Sequence, residues 1–313
     1  MKEYDRINLG RKAKELGYVR DTFEKVNRLI DVLIFIGQDK QLKNTLALKG
    51  GTAINLAMLN LPRLSVDIDL DYSQDCLKEE MLINRKIIDK AIREYMEVQG
   101  YTLSLKSRYH HALDSYIFEY INSGGTKDNL KIDINYMNRC HVLPLCNRKV
   151  SIPWYEEEFT VLCVDPLEIY ASKANALLNR AAPRDLYDLY NIGKYGLIND
   201  KDVELFKKCI VFYRAISTND PLIDFSLNSI DAITYKRIKS ELNPVLRNSE
   251  RFNCEEAKDY IKKYLSEVLK LHKNELEFIK EFSKSNYKPE LLFDDSEIIA
   301  RIDKHPMAIF KTN

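Results

Sequence analysis

The hydrophobic pattern of this chain changes period once, near residue 160, and that change constrains the fold more than any other feature. Before it, short alternating segments lie between helical stretches; after it only helical spacing is found. Residues 65–72 alternate most clearly, with Val66, Ile68 and Leu70 on one face and Asp67, Asp69 and Asp71 on the other, the two-residue period of a strand. Residues 46–48 form a short apolar strand ending in Lys49-Gly50-Gly51-Thr52, a turn, and 53–59 continue as a helix. Further strands are predicted over 102–109, 115–121, 130–136 and 159–164, with Asn122-Ser123-Gly124-Gly125 as a hairpin-type breaker. Helical spacing marks 21–36 and 82–98. Asp165-Pro166-Leu167-Glu168 then reads as a helix start, with Asp accepting from free amides, Pro in the first turn and Glu168 completing a capping box. Helices follow over 166–179, 184–191, 201–213, 231–241 and a long 255–282. The expected fold class is α+β: a mixed sheet with flanking helices over 1–160, then a mostly helical domain over 161–313.

Composition excludes several classes. With 313 residues, 45% of them hydrophobic, the chain can bury a large core. Its 48 Lys and Arg nearly balance 47 Asp and Glu, a net charge of +1, so nucleic-acid binding would need a local patch rather than a basic chain. Lys2, Arg6, Arg11, Lys12, Lys14 and Arg20 cluster near the N-terminus, as a solvated helix end also would. The longest apolar runs, 32–36 and 209–213, are far short of the roughly 20 residues of a membrane span. The opening MKEYDRINLGRK has no apolar core region, so no signal peptide and a cytoplasmic location are expected. The six cysteines show no CxxC spacing and read as reduced core thiols.

Three features carry chemistry. Gly50-Gly51-Thr52 stands at a strand-to-helix turn, where glycines admit a ligand close to the backbone and exposed amides suit a phosphate; a plain tight turn has the same sequence. Asp67 and Asp69 are two apart on a strand and share a face, where they repel unless a cation lies between them; a solvated strand face gives the same pattern. Asp133, in Lys131-Ile132-Asp133-Ile134-Asn135, sits on another strand, and if the two strands are neighbours three carboxylates converge, the donor set of a metal-assisted phosphoryl-transfer site. His110-His111 point to opposite faces of a strand and cannot chelate one ion. Trp154 and the 19 tyrosines are able to stack bases, with most expected in core or surface packing; 156–158 is a solvated acidic turn, and His305-Pro306 ends a helix in a docked tail.

Lys49-Gly50-Gly51-Thr52-Ala53 followed by Arg63-Leu64-Ser65-Val66-Asp67-Ile68-Asp69-Leu70 closely resembles the AbiEii toxins of type IV toxin–antitoxin and abortive-infection systems, within the DNA polymerase β-like nucleotidyltransferases. Lys173-Ala174-Asn175-Ala176 through Arg180, Pro183-Arg184-Asp185-Leu186-Tyr187-Asp188-Leu189, Leu291-Leu292-Phe293 and His305-Pro306-Met307-Ala308 fit the same family. The chain departs from the superfamily in having Thr52 where Ser is usual, and in the 14 residues between Thr52 and Asp67, a longer spacing whose loop 60–64 carries Arg63, able to reach a phosphate or pair with a carboxylate. The resemblance implies a polymerase-β-like nucleotidyltransferase domain, with the helical domain contributing to the cleft. It implies that Gly50, Gly51, Thr52, Ser65, Lys173 and Asp185 hold the nucleotide, that Asp67, Asp69 and Asp133 bind Mg²⁺, that Asp133 is the base, and that Lys173 and Asp188 join the catalytic set. The implied activity is transfer of nucleotide from an NTP to the 3′ end of tRNA with loss of pyrophosphate, by a monomeric toxin held in check by a neighbouring antitoxin. The alternatives are a transferase acting on a small-molecule or protein hydroxyl, and a non-enzymatic nucleotide-dependent binding module.

Overall fold

The computed structural model describes residues 4–59, 61–155, 157–217 and 225–313. Lys2, named above, and residues 60 and 156 of the stretches 60–64 and 156–158 lie outside these. The fold is α+β, and the chain divides into two compact units.

The first unit comprises Met1–Arg139, Leu145–Cys163 and Pro244–Glu250. It opens with α1 (Arg6–Leu16) and α2 (Arg20–Gln38), then β1 (Leu46–Lys49), whose end turns at once into the single helical turn α3 (Gly50–Thr52), continued by a π-helical stretch Ala53–Met58. Next come β2 (Asp67–Tyr72), α4 (Lys78–Val98), β3 (Thr102–Leu103), β4 (Arg108–Tyr109), β5 (Leu113–Ile121), β6 (Lys127–Asn135), β7 (Cys146–Val150) and β8 (Phe159–Cys163). The strands form one eight-stranded sheet of order β3-β5-β6-β2-β1-β8-β7, with β4 also on β5. Two pairings are parallel, β2 with β6 and β1 with β8. β7 escapes the sequence pattern because Cys146-Asn147-Arg148-Lys149-Val150 carries little apolar alternation, which an edge strand does not need. The strand expected over 102–109 is instead two short pieces separated by a turn, Ser107 N donating to Ser104 O at 3.0 Å. His110 and His111 lie in the exposed bend after β4, not on a strand, and their carbonyls accept from Arg85.

The amphipathic α2 buries Phe23, Val26, Leu29, Ile30 and Leu33. Trp154 packs against Phe23 with ring centroids 5.0 Å apart and donates to Asn27 Oδ1 at 3.0 Å, so its role is core packing. Glu24, fully buried, pairs with Arg28 and accepts from Ser123 N at 2.9 Å, fastening the β5–β6 turn.

The second unit comprises Cys140–Pro144, Val164–Asn243 and Arg251–Asn313. Its helices are α5 (Pro166–Arg180), α6 (Pro183–Lys194), α7 (Val203–Ser217), the single turn α8 (Tyr235–Arg237), α9 (Cys254–Val268), α10 (Lys273–Ser283), α11 (Ser296–Ile302) and α12 (Pro306–Thr312). Asp165 caps α5 as expected, accepting from Leu167 N at 2.9 Å. Glu168 does not close a capping box: it is wholly buried and accepts from Leu143 N at 2.8 Å, Val142 N at 3.2 Å and the Tyr213 hydroxyl. That grip explains why 140–144 belongs with the helices. Burial alone would raise the Glu168 pKa, yet His141, Tyr213 and the Leu143 amide hold it below the usual carboxylate value.

Two expected helices are broken. Residues 231–241 resolve into a 3₁₀ turn, α8 capped by Thr234, and a π-helical stretch. The stretch 255–282 is two helices, because His272 N donates to Glu275 Oε2 at 2.8 Å and starts α10 afresh. His305 likewise begins a helix rather than ending one: it caps α12, with Pro306 in the first turn. The tail docks on α7, where the Phe212 ring meets Phe293 at 6.2 Å and His305 at 5.3 Å.

Candidate active site

β2 lies between β1 and β6, and the pairing register aligns one row of residues across four strands: Lys49 opposite Asp69, Asp69 beside Asp133, Asp133 opposite Ser115. Directly aligned residues on neighbouring strands project from the same face. Asp67, Asp69, Lys131 and Asp133 are therefore on one side of the sheet, half-buried, while Ile68, Leu70, Ile132 and Ile134 fill the core on the other. The three carboxylates singled out in the sequence thus share a face, with strands some 4.8 Å apart.

Such carboxylates repel, and the local structure answers that repulsion. Asp133 accepts from Ser115 Oγ at 2.6 Å and pairs with Lys131 Nζ at 2.6 Å. Asp71 pairs with Lys49 Nζ at 2.6 Å. Burial works against the charge on Lys131, but the bond to Asp133 and the fields of Asp133, Asp67 and Asp69 outweigh it and hold the pKa above lysine's usual value. Among the described residues, no three His, Cys, Asp or Glu side chains stand close enough to grip a metal ion. The donor set nonetheless fits a hard divalent cation, which takes carboxylate oxygens; Asp133 would have to exchange its lysine for the metal.

The glycine turn runs beside these groups. Gly50 has φ +67°, and a Cβ there would fall 2.5 Å from Asp69 Oδ2; both the backbone and the space require glycine. A Cβ on Gly51 would fall 2.7 Å from Arg63 Nη2 and 3.3 Å from Ser65 Oγ. Arg63 is 2% exposed and donates to Leu64 O at 2.8 Å, so it packs behind the turn instead of reaching outward to a phosphate. Thr52 is also turned inward. Its buried hydroxyl meets Ser65 Oγ at 2.9 Å and the Asp67 carbonyl, tying the turn to the start of β2. Thr52 and Ser65 therefore tie the turn to the start of β2.

Lys173, Asp185 and Asp188 form a cluster in the helical unit. Lys173 on α5 is 7% exposed, with Nζ 3.0 Å from Asp185 Oδ1 and 3.2 Å from Asp188 Oδ2. Both carboxylates lie on one face of α6, fully buried. Asp185 also receives Arg180 Nε at 2.7 Å. Burial would raise the Asp185 pKa, but Lys173 and Arg180 bring it down to about 2. Lys173, expected as a contact to phosphate, is committed to two acidic neighbours. Arg184 donates to the Glu241 carbonyl at 2.7 Å.

Lys131 and Ser115 were not singled out from the sequence. Lys131 was within reach, since it stands two residues before Asp133 and must share its face; Ser115 depends on the β5–β6 register.

A strand ending in a glycine turn beside a two-Asp strand, with a third Asp on the adjacent parallel strand, is the architecture of a nucleotidyltransferase. Comparison with protein families matches residues 35–266 to "Nucleotidyl transferase AbiEii toxin, Type IV TA system", and the chain belongs to that family. It is accordingly a nucleotidyltransferase toxin of a type IV toxin–antitoxin system. Among solved structures it is similar to MenT4, a nucleotidyltransferase toxin from Mycobacterium tuberculosis H37Rv, with a TM-score of 0.65 at 16% identity, covering 98% of this chain and 99% of that one. At that identity the likeness concerns the fold. Comparison with curated proteins gives no match. Among the described residues no helix is long and apolar enough to cross a membrane.

Proposed function

We propose that the chain transfers nucleotide from an NTP to the 3′ end of tRNA, with Mg²⁺ and release of pyrophosphate, and that a cognate antitoxin restrains it. The observation that supports this most is the Asp69–Asp133 register, with Gly50 packed on Asp69. In this reading the backbone of the glycine turn takes the triphosphate, because Gly50 and Gly51 leave no side chain in the way. Asp67, Asp69 and Asp133 would hold the cation, which when bound neutralises phosphate charge and steadies the leaving pyrophosphate. Asp133 would take the proton of the acceptor hydroxyl. Ser115 Oγ fixes one of its oxygens in orientation, and Lys131 holds the other until the cation takes it. In the helical unit, Lys173, Asp185 and Asp188 position α5 against α6.

The test is incubation with each labelled NTP, Mg²⁺ and total tRNA, with Asp69→Asn as control. Label on tRNA that depends on Asp69 supports the reading. Label on protein or on a small molecule instead would transfer the proposal to those acceptors, and no labelled product with any acceptor would remove it.

A further inference from the structure

Lys131 stands where the site needs a cation. It is aligned with Asp67 on the adjacent parallel strand, shares a face with Asp69 and Asp133, and its ammonium lies 2.6 Å from Asp133 Oδ2. One ammonium against three carboxylates leaves excess negative charge, so the face still attracts a cation; yet Asp133, one of the three donors, is occupied. Ser115 takes the other Asp133 oxygen as a neutral donor, which does not compete by charge.

We infer that Lys131 is a resident counter-ion that competes with divalent metal for Asp133, so that metal and nucleotide enter together. The inference rests on the metal role proposed above for Asp67, Asp69 and Asp133. The physical reason is charge. Metal alone must drive the ammonium off Asp133 into a site that has become more positive, with no new partner for it. Metal arriving with a triphosphate brings oxygens to which the displaced ammonium can turn, a charge-assisted pairing that replaces the one lost. The lysine side chain is long, flexible and 40% exposed, so it can swing without rearranging the sheet. Lys131 thus acts as a positioning residue: it keeps the carboxylates from splaying apart before substrate arrives and makes metal affinity depend on nucleotide.

The experiment measures Mn²⁺ binding to the full chain by electron paramagnetic resonance, with and without a non-hydrolysable NTP analogue. It compares the unaltered protein with Lys131→Met, Lys131→Arg and Asp69→Asn, each checked for folding by circular dichroism. Lys131→Met should bind Mn²⁺ alone about tenfold or more tightly, as expected for removing a charge a few ångströms from the ion, and should lose much of the enhancement by nucleotide. Lys131→Arg, which keeps the charge, should resemble the unaltered protein. A folded Lys131→Met with unchanged or weaker Mn²⁺ affinity, alongside an unaltered protein whose binding Asp69→Asn abolishes, would overturn the counter-ion role and leave the metal site standing. Absence of Mn²⁺ binding to every form, even with the nucleotide analogue, would overturn both the metal site and this inference.

Discussion

Replacing Lys173 by Met should unfold the protein more readily before it alters any substrate contact. Lys173 is 7% exposed and its ammonium lies 3.0 Å from Asp185 and 3.2 Å from Asp188, both fully buried. Methionine fills similar space without the charge. Asp185 keeps Arg180 at 2.7 Å, but both Asp185 and Asp188 lose the ammonium beside them. Breaking a buried pair from one side costs about 3 kcal/mol or more, a fall in Tm of roughly 6–12 °C for a unit of this size. The pH dependence follows from the same pair. In the unaltered protein the folded pKa of Asp185 is depressed from 3.8 to about 2, so its contribution is fully present above the unfolded value and lost as pH falls through about 2, on the order of 2 kcal/mol. In Lys173→Met, burial acts on Asp185 with less opposition and its folded pKa rises. The deficit of the variant should therefore be greatest at neutral pH and shrink as the pH falls and Asp185 takes up a proton. Thermal denaturation followed by circular dichroism at pH 7, 5.5 and 4 reads both effects. A variant with unchanged Tm at pH 7 and a raised KM for NTP would refute this reasoning and return Lys173 to the role of a phosphate contact.

Asp69→Asn keeps the shape beside Gly50 but removes the charge, and should lower turnover at least about a hundredfold with little change in Tm; labelled-NTP transfer at matched protein concentration measures it, and full activity would exclude metal chemistry at Asp69. Gly50→Ala places a Cβ 2.5 Å from Asp69 Oδ2 on a backbone with φ +67°, so calorimetry should show nucleotide affinity lost, together with about 1–2 kcal/mol of strain in chemical denaturation. Thr52→Val strips the buried hydroxyl from Ser65 and the Asp67 carbonyl and should cost about 1–3 kcal/mol of stability; a direct phosphate contact would instead appear as weakened NTP binding at unchanged stability.

The local pattern by itself determined that Asp67 and Asp69 share a face, because a strand has a period of two whatever it pairs with. It also determined the turn at Gly50 and the start of α5 at Asp165, since caps and left-handed glycines are properties of a few consecutive residues. Local signals could have divided 255–282 as well: Glu275, three residues after His272, is a sequence-visible capping pattern that the apolar stripe obscured. What only tertiary structure decided is which distant residues meet. Asp133 came beside Asp69 through parallel pairing of β2 and β6, and parallel pairing joins strands far apart in sequence, so no local pattern fixes its register. The same holds for side chains whose partners lie on other elements. Thr52 turned inward to β2, Glu168 took the amides of Val142 and Leu143 instead of closing its own helix, and Lys173 was buried between two aspartates of α6. A charged or hydroxyl side chain satisfies itself wherever folding brings a partner, and desolvation makes that partner obligatory; residue type and spacing determine the chemistry such a group can do, while the packed structure decides whether it faces a ligand or holds the protein together.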